Sequence, residues 1–288
     1  MDVLLLEPNG YCSGVQRAFS LALRLRNEQP NVEIYCLGML VHNEDSMMEF
    51  QNYHIHIIDE RKENLEVVLK SIPDGSYVIF SAHGHPLGWE KLAAEKNLKI
   101  LDCTCPFVEA NRVAGASLKS SFFYFGVKGH LEANAFMANN PNAIFLDVVH
   151  PELQSIDITP TIVYPAICQT TISGEEIESA ISFLSKKGIS IQLIKSQCQS
   201  TYLRQKAIMD LPESITTLVV LGSPRSNNSV KLYEIGVKKN LRCYLVRNLS
   251  ELQNISFKKG ERIALSSGAS TSSSILKECY DYLSAMQR

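Results

Sequence analysis

Cys12, Cys105 and Cys198 divide the chain evenly: 93 residues separate the first from the second, and 93 the second from the third. Each follows a short apolar run (Leu4-Leu5-Leu6, Ile100-Leu101 and Leu193-Ile194) and precedes a helical stretch. Three thiolates from three equivalent turns can hold a [4Fe–4S] cluster and leave its fourth iron open to a substrate oxygen. Zinc sites usually draw on paired C-x2-4-C knuckles, whereas Cys103-Thr104-Cys105 is only C-x-C. An isolated cysteine reads as a small buried hydrophobe. Three at matched strand-to-helix turns, beside Gly and Pro, read as ligands. Of the other five, Cys36, Cys168 and Cys243 sit in or beside apolar runs, and Cys279 falls on the last amphipathic helix. Cys103, two residues from a proposed ligand, has three readings, a spare ligand, a redox-sensitive thiol or a packed side chain, and the last is the expectation.

Two further series keep step with the cysteines. Gly38, Gly126 and Gly222 each end an apolar run, and four residues beyond stand His42, His130 and Ser226. Directly after other runs come Ser81-Ala82-His83, Gln169-Thr170-Thr171 and Ser267-Gly268-Ala269-Ser270. These turns supply His42, His83, His130, Thr170, Ser226, Asn228 and Ser270, neutral or weakly basic groups suited to gripping phosphate oxygens. Helix N-termini at the same turns would add backbone N–H donors for an anion. Glu132 follows His130 by two. A like-charged diphosphate beside it would raise its pKa and make it a proton donor; the alternative is an ordinary acid in a helix's first turn. His54 and His56 alternate with Ile55 and Ile57, as on the wet face of an edge strand. His85 and His150 each precede a proline in a turn, and none of these four is given a role.

The elements that must position these residues alternate between strand and helix. Strands are predicted at Val3–Leu6, Glu33–Leu37, Tyr77–Phe80, Ile100–Leu101, Phe122–Phe125 and Ala143–Leu146. Others are predicted at Thr161–Ile167, Ile191–Ile194, Leu218–Leu221, Cys243–Val246 and Arg262–Leu265. Between them, Ser173–Lys186 carries capping-box spacing at Ser173 and Glu176, with Ile177, Ala180, Ile181 and Leu184 on one face. Such alternation implies an α/β fold with mostly parallel sheets. Three series repeated three times in the same order imply three similar α/β units of roughly 95 residues each. The expected boundaries are 13–104, 105–197 and 198–288, the last unit borrowing the N-terminal strand in 1–12. Pseudo-threefold symmetry would then aim strand C-terminal ends at one central iron–sulfur site, the end where open α/β sheets bind ligands.

Composition narrows the partners. The 288 residues are 45% hydrophobic with a net charge of −2, so there is no Lys/Arg excess to bind nucleic acid. No run approaches the ~18 apolar residues of a membrane span. The N-terminus lacks a basic segment before its apolar one, so the expected location is the cytoplasm, where cysteines stay reduced. Neither G-x-G-x-x-G after a strand nor G-x-x-x-x-G-K-[ST] occurs, so electrons for a cluster should come from a separate protein.

At these residues the chain resembles the 4-hydroxy-3-methylbut-2-enyl diphosphate reductases, the last enzymes of the non-mevalonate isoprenoid pathway. The blocks are Pro8-Asn9-Gly10-Tyr11-Cys12-Ser13-Gly14-Val15, Val41-His42-Asn43, Phe80-Ser81-Ala82-His83-Gly84, Thr104-Cys105-Pro106, Gln169-Thr170-Thr171, Ser226-Asn227-Asn228-Ser229 and Gly268-Ala269-Ser270. The resemblance spans nearly the whole chain and implies three α/β units around a [4Fe–4S] cluster. It implies reductive dehydroxylation to isopentenyl and dimethylallyl diphosphates, with a ferredoxin- or flavodoxin-type electron donor. Carried over by position, Cys12, Cys105 and Cys198 are cluster ligands. His42, His83, His130, Ser226, Asn228 and Ser270 hold the diphosphate, while Glu132 delivers protons and Thr170 lies near the substrate hydroxyl. The chain departs from the family at Val127 (usually His), Leu131 (commonly Pro), Ala133-Asn134-Ala135, Cys103 (usually Ala), Asn227 (usually Ser) and Gln199-Ser200-Thr201-Tyr202. Two alternatives compete: another three-cysteine [4Fe–4S] lyase of quinolinate-synthase type, and a non-catalytic paralogue sensing redox state or iron.

Overall fold

A computed structural model describes residues 2–154, 163–258 and 260–286. Its strands in chain order are β1 (Asp2–Leu5), β2 (Ile34–Leu37), β3 (His56–Ile58), β4 (Tyr77–Phe80), β5 (Lys99–Asp102) and β6 (Phe122–Gly126). They continue as β7 (Ala143–Asp147), β8 (Val163–Cys168), β9 (Ser190–Lys195), β10 (Thr217–Leu221), β11 (Arg242–Val246) and β12 (Arg262–Ser267). The predicted strands recur with shifts of one or two residues at their ends. Thr161 and Ile162, the start of one of them, lie outside the described residues.

All pairings are parallel, and the three four-stranded sheets share one topology. Their orders are β3-β2-β4-β5, β7-β6-β8-β9 and β11-β10-β12-β1. In each, the first strand of its set lies between the second and the third, and the fourth forms an edge. The third set is completed by β1, which pairs in register with β12 from Asp2↔Arg262 to Leu5↔Leu265. The sequence repeat is thus a repeat of topology.

The central strands explain themselves. Phe122 to Gly126 are buried throughout, as a parallel strand covered on both faces must be. The edge strand β9 is exposed along most of its length. Helices fill the crossovers: α1 (Ser13–Glu28), α2 (Glu44–Gln51), α3 (Leu65–Ser71), α4 (Gly88–Glu95), α5 (Pro106–Ser117) and α6 (Leu131–Asn139). Then come α7 (Gly174–Ser185), α8 (Gln199–Met209), α9 (Asn227–Lys238), α10 (Leu249–Gln253) and α11 (Ser273–Ala285). The capping box at Ser173 and Glu176 is formed, and Ile177, Ala180 and Leu184 pack into the core of the β6–β9 sheet with Phe123, Phe125 and Tyr164.

The chain gathers into two compact units. One comprises Met1–Gln16, Val41–Tyr53 and Gln199–Arg288 and contains the β1/β10–β12 sheet; the other comprises Arg17–Leu40 and His54–Cys198 and contains the other two sheets. Residues 41–53, which the expected boundary at 104 groups with β2–β5, are fastened within the first unit. There Ser46 Oγ donates to Ser270 O at 2.9 Å, and Asn248 Nδ2 to Asp45 Oδ1 at 2.9 Å.

Candidate active site

Each proposed cysteine ligand follows an edge strand and opens a helix. Cys12 directly precedes α1, Cys105 is the N-cap of α5 with Pro106 after it, and Cys198 directly precedes α8. One hydrogen bond recurs three times: Cys12 N–H to Ala269 O, Cys105 N–H to Ala82 O and Cys198 N–H to Thr170 O, each 3.0 Å. The acceptors are the middle residues of the third series, so the two series that kept step in sequence are joined in space. All three thiols are partly exposed. Cys36, Cys103, Cys168 and Cys279 are buried. Burial pushes the Cys103 and Cys279 thiols up to about 12 and Cys243 to about 11, and raises Cys36 and Cys168 as well. As a donor set, the three turn cysteines have the chemistry an iron–sulfur cluster needs, and the packed thiols do not.

The first unit holds Cys12, His42, Ser226, Asn228 and Ser270. Ser226 is the N-cap of α9, its Oγ accepting from Ser229 N–H at 3.4 Å. His42 precedes Asn43, the N-cap of α2. The ends of β10 and β12 come close to α9 at Gly222 and Gly268, where a Cβ would lie 2.2 and 2.1 Å from Ser229 Oγ. Asn228 is 3% exposed with neither amide atom hydrogen-bonded, and the buried Ser270 Oγ has no partner. Orphaned buried groups of this kind cost about 1–3 kcal/mol each. They suit an anionic ligand that arrives with its own acceptors.

The second unit holds His83, Cys105, His130, Glu132, Thr170 and Cys198. His130 caps α6, its Nδ1 accepting Glu132 N–H at 3.1 Å, which leaves Nε2 to carry the ring proton. The His83 ring meets His130 edge-on, with centroids 5.7 Å apart. Glu132 is 2% exposed although it stands in a helix's first turn. Thr170 donates its N–H to one carboxylate oxygen and its hydroxyl to the other, both at 2.7 Å. Burial raises the Glu132 pKa to about 7, against the lowering effect of those bonds. Burial within the protein is thus enough to raise it. The Tyr124 phenol, also buried, is held well above its ordinary value by burial first and then by the field of Glu132.

Among the described residues no three His, Cys, Asp or Glu side chains are gathered closely enough to hold a metal ion. His85 is given no role. It is buried, stacked on Phe80 with centroids 3.9 Å apart, with Nε2 3.1 Å from Glu90 Oε1. Arg204, absent from the candidate residues, is almost wholly buried on α8. Its signal was a helix with Thr201, Arg204, Gln205 and Ile208 at core-facing spacing. No helix among the described residues is long and apolar enough to cross a membrane.

Comparison with known proteins adds a family. The LytB protein family model matches residues 3–284. The 4-hydroxy-3-methylbut-2-enyl diphosphate reductase of Geobacillus kaustophilus is 32% identical, over 98% of this chain and 90% of its own. Its counterpart in Shewanella pealeana is 32% identical, over 99% and 92%. Among solved structures, the E-1-hydroxy-2-methyl-but-2-enyl-4-diphosphate reductase of Plasmodium falciparum superposes with a TM-score of 0.84 at 24% identity, covering 98% of this chain and 88% of its own.

Proposed function

The chain belongs to the LytB protein family, and on that premise we propose that it reduces 4-hydroxy-3-methylbut-2-enyl diphosphate to isopentenyl and dimethylallyl diphosphates. The reaction takes up two electrons and two protons and releases the substrate hydroxyl as water. The observation that carries this reading is Glu132, a buried carboxyl with a pKa of about 7, both oxygens held by Thr170. Near neutral pH such a group can hold a proton and give it up.

Cys12, Cys105 and Cys198 would hold the [4Fe–4S] cluster, which when bound supplies single electrons and a Lewis-acidic iron. Asn228, Ser270, Ser226 and His42 bind diphosphate oxygens, and the helix N-termini at their turns add favourable dipoles. His83 and the Nε2–H of His130 extend the donor set. Thr170 orients Glu132 and offers its hydroxyl to the substrate hydroxyl, and Glu132 delivers the proton. The electrons come from a separate ferredoxin- or flavodoxin-type protein. A quinolinate-synthase-like lyase would not need the histidine and hydroxyl donors, and a sensor would not need a proton donor poised near pH 7.

The test is anaerobic: iron-loaded protein is mixed with the hydroxymethylbutenyl diphosphate and a one-electron reductant, and products are read by mass spectrometry. Wild-type protein forms both isoprenyl diphosphates. Iron-loaded protein that binds the substrate yet forms neither product would overturn the reading in favour of a sensor.

A further inference from the structure

Arg204 is a fully buried cation in α8, the helix that begins directly after Cys198. None of the steps above uses it. Its guanidinium donates from Nη2 to Gly10 O at 2.7 Å, from Nε to Ser267 O at 3.3 Å, and from Nη1 to both the carbonyl and the hydroxyl of Ser200. Gly10 lies two residues before Cys12, and Ser267 three before Ser270. The same two segments are laced twice more, by Gly10 N–H to Ser267 Oγ at 2.8 Å and Cys12 N–H to Ala269 O at 3.0 Å. Gly10 has φ +63°, a left-handed conformation that glycine adopts without steric cost, and so mobile a residue leaves the shape of the turn to be fixed by its hydrogen bonds. A planar guanidinium can serve carbonyls of separate segments at fixed angles; a lysine ammonium cannot reproduce that fork.

We propose that Arg204 is a positioning residue that locks the Gly10–Cys12 turn to the Ser267–Ser270 turn, so that the Cys12 thiol and the Ser270 hydroxyl are presented in one fixed frame. The proposal rests on the reading of Cys12 as a cluster ligand and Ser270 as a diphosphate ligand. It acts through those two residues and touches no reacting atom.

The test compares Arg204→Gln, Arg204→Lys and Ser267→Ala with wild type, using the full chain purified anaerobically. Both arginine variants are expected to lose iron to a chelator on the order of 10- to 100-fold faster, the range typical of residues that orient metal ligands. Substrate KM should rise, and the Gly10 and Cys12 amides should exchange with deuterium at least about tenfold faster. Lysine keeps the charge but should not rescue. Wild-type iron retention and amide exchange in Arg204→Gln, with only a lower Tm, would overturn the proposal. If both arginine variants fail to fold, Ser267→Ala decides: it removes the Gly10 N–H acceptor and leaves the cation. Faster exchange at Gly10 supports the lock, and unchanged exchange sinks it. If even wild type binds no iron, the functional reading fails, and amide exchange still decides whether Arg204 holds the turn.

Discussion

The donors at the ends of β10 and β12 and the carboxyl at the start of α6 are both buried polar groups, but they are buried on opposite terms. Asn228 and Ser270 keep side-chain atoms without partners. Both Glu132 oxygens are occupied, each by a 2.7 Å bond from Thr170. Unsatisfied groups weaken the fold by about 1–3 kcal/mol each, which a protein tolerates where a ligand will take up the bonds. A satisfied carboxyl has little capacity left for gripping, but its burial sets a proton affinity near pH 7. The contrast separates side chains suited to gripping a ligand from a side chain suited to holding a proton.

Glu132→Gln tests that separation most severely. The amide fills the same space and carries no transferable proton, so kcat should fall on the order of 10²- to 10⁴-fold with KM nearly unchanged. Steady-state kinetics under anaerobic conditions measure both, and a large KM change would merge the two roles. Asn228→Ala and Ser270→Ala should do the reverse, raising KM roughly 10- to 100-fold, the value of a hydrogen bond to a charged ligand. Their Tm should be equal to or above wild type, because each removes an unsatisfied buried group. A clear loss of Tm would mean these side chains support the fold rather than wait for substrate.

Much of this arrangement was legible because it rests on repetition. Strand, glycine, polar turn and cysteine recur in order, and the structure gives that order one sheet topology and one recurring 3.0 Å bond. That the third copy borrows the N-terminal strand was legible too, since that copy otherwise lacks a fourth strand; that β1 pairs with β12 was not. What escaped depends on burial. An acid in a helix's first turn reads as solvated, and nothing local reveals that Glu132 is 2% exposed. Arg204 escaped because α8 inverts the usual pattern, burying Thr201, Arg204 and Gln205 while exposing Tyr202, Leu203 and Met209. The edge strand expected over His54–Ile57 starts two residues later: His54 has φ +53°, and β3 begins at His56.

The burial of Glu132 also predicts how stability follows pH. Its folded-state pKa of about 7 lies above the unfolded value of 4.5, so the native state holds more protons between those pH values. Stability then falls as pH rises through that window and levels off above about 7, a loss of roughly 3 kcal/mol from this group. Glu132→Gln removes the titration. Denaturant unfolding at pH 5 and pH 8 should show the variant losing less stability than wild type over this range. Equal losses would mean that the carboxyl is not held at a raised pKa.

The smallest effect concerns the cysteine that stands nearest a proposed ligand. Cys103 is wholly buried, its thiol pushed up to about 12 mainly by that burial, with Sγ 3.8 Å from Ala18 O. A neutral, packed thiol is a poor metal ligand, so Cys103→Ala should leave iron content and the spectrum of the reconstituted protein unchanged. The lost sulfur contacts should lower stability by about 1 kcal/mol, visible as a small drop in Tm. Cys105→Ser, two residues away at the helix N-terminus, should lose the iron while its far-UV circular dichroism stays native. If Cys103→Ala also lost iron, burial would no longer separate the packed thiols from the ligands, and the place of Cys12, Cys105 and Cys198 at the starts of helices would cease to identify them.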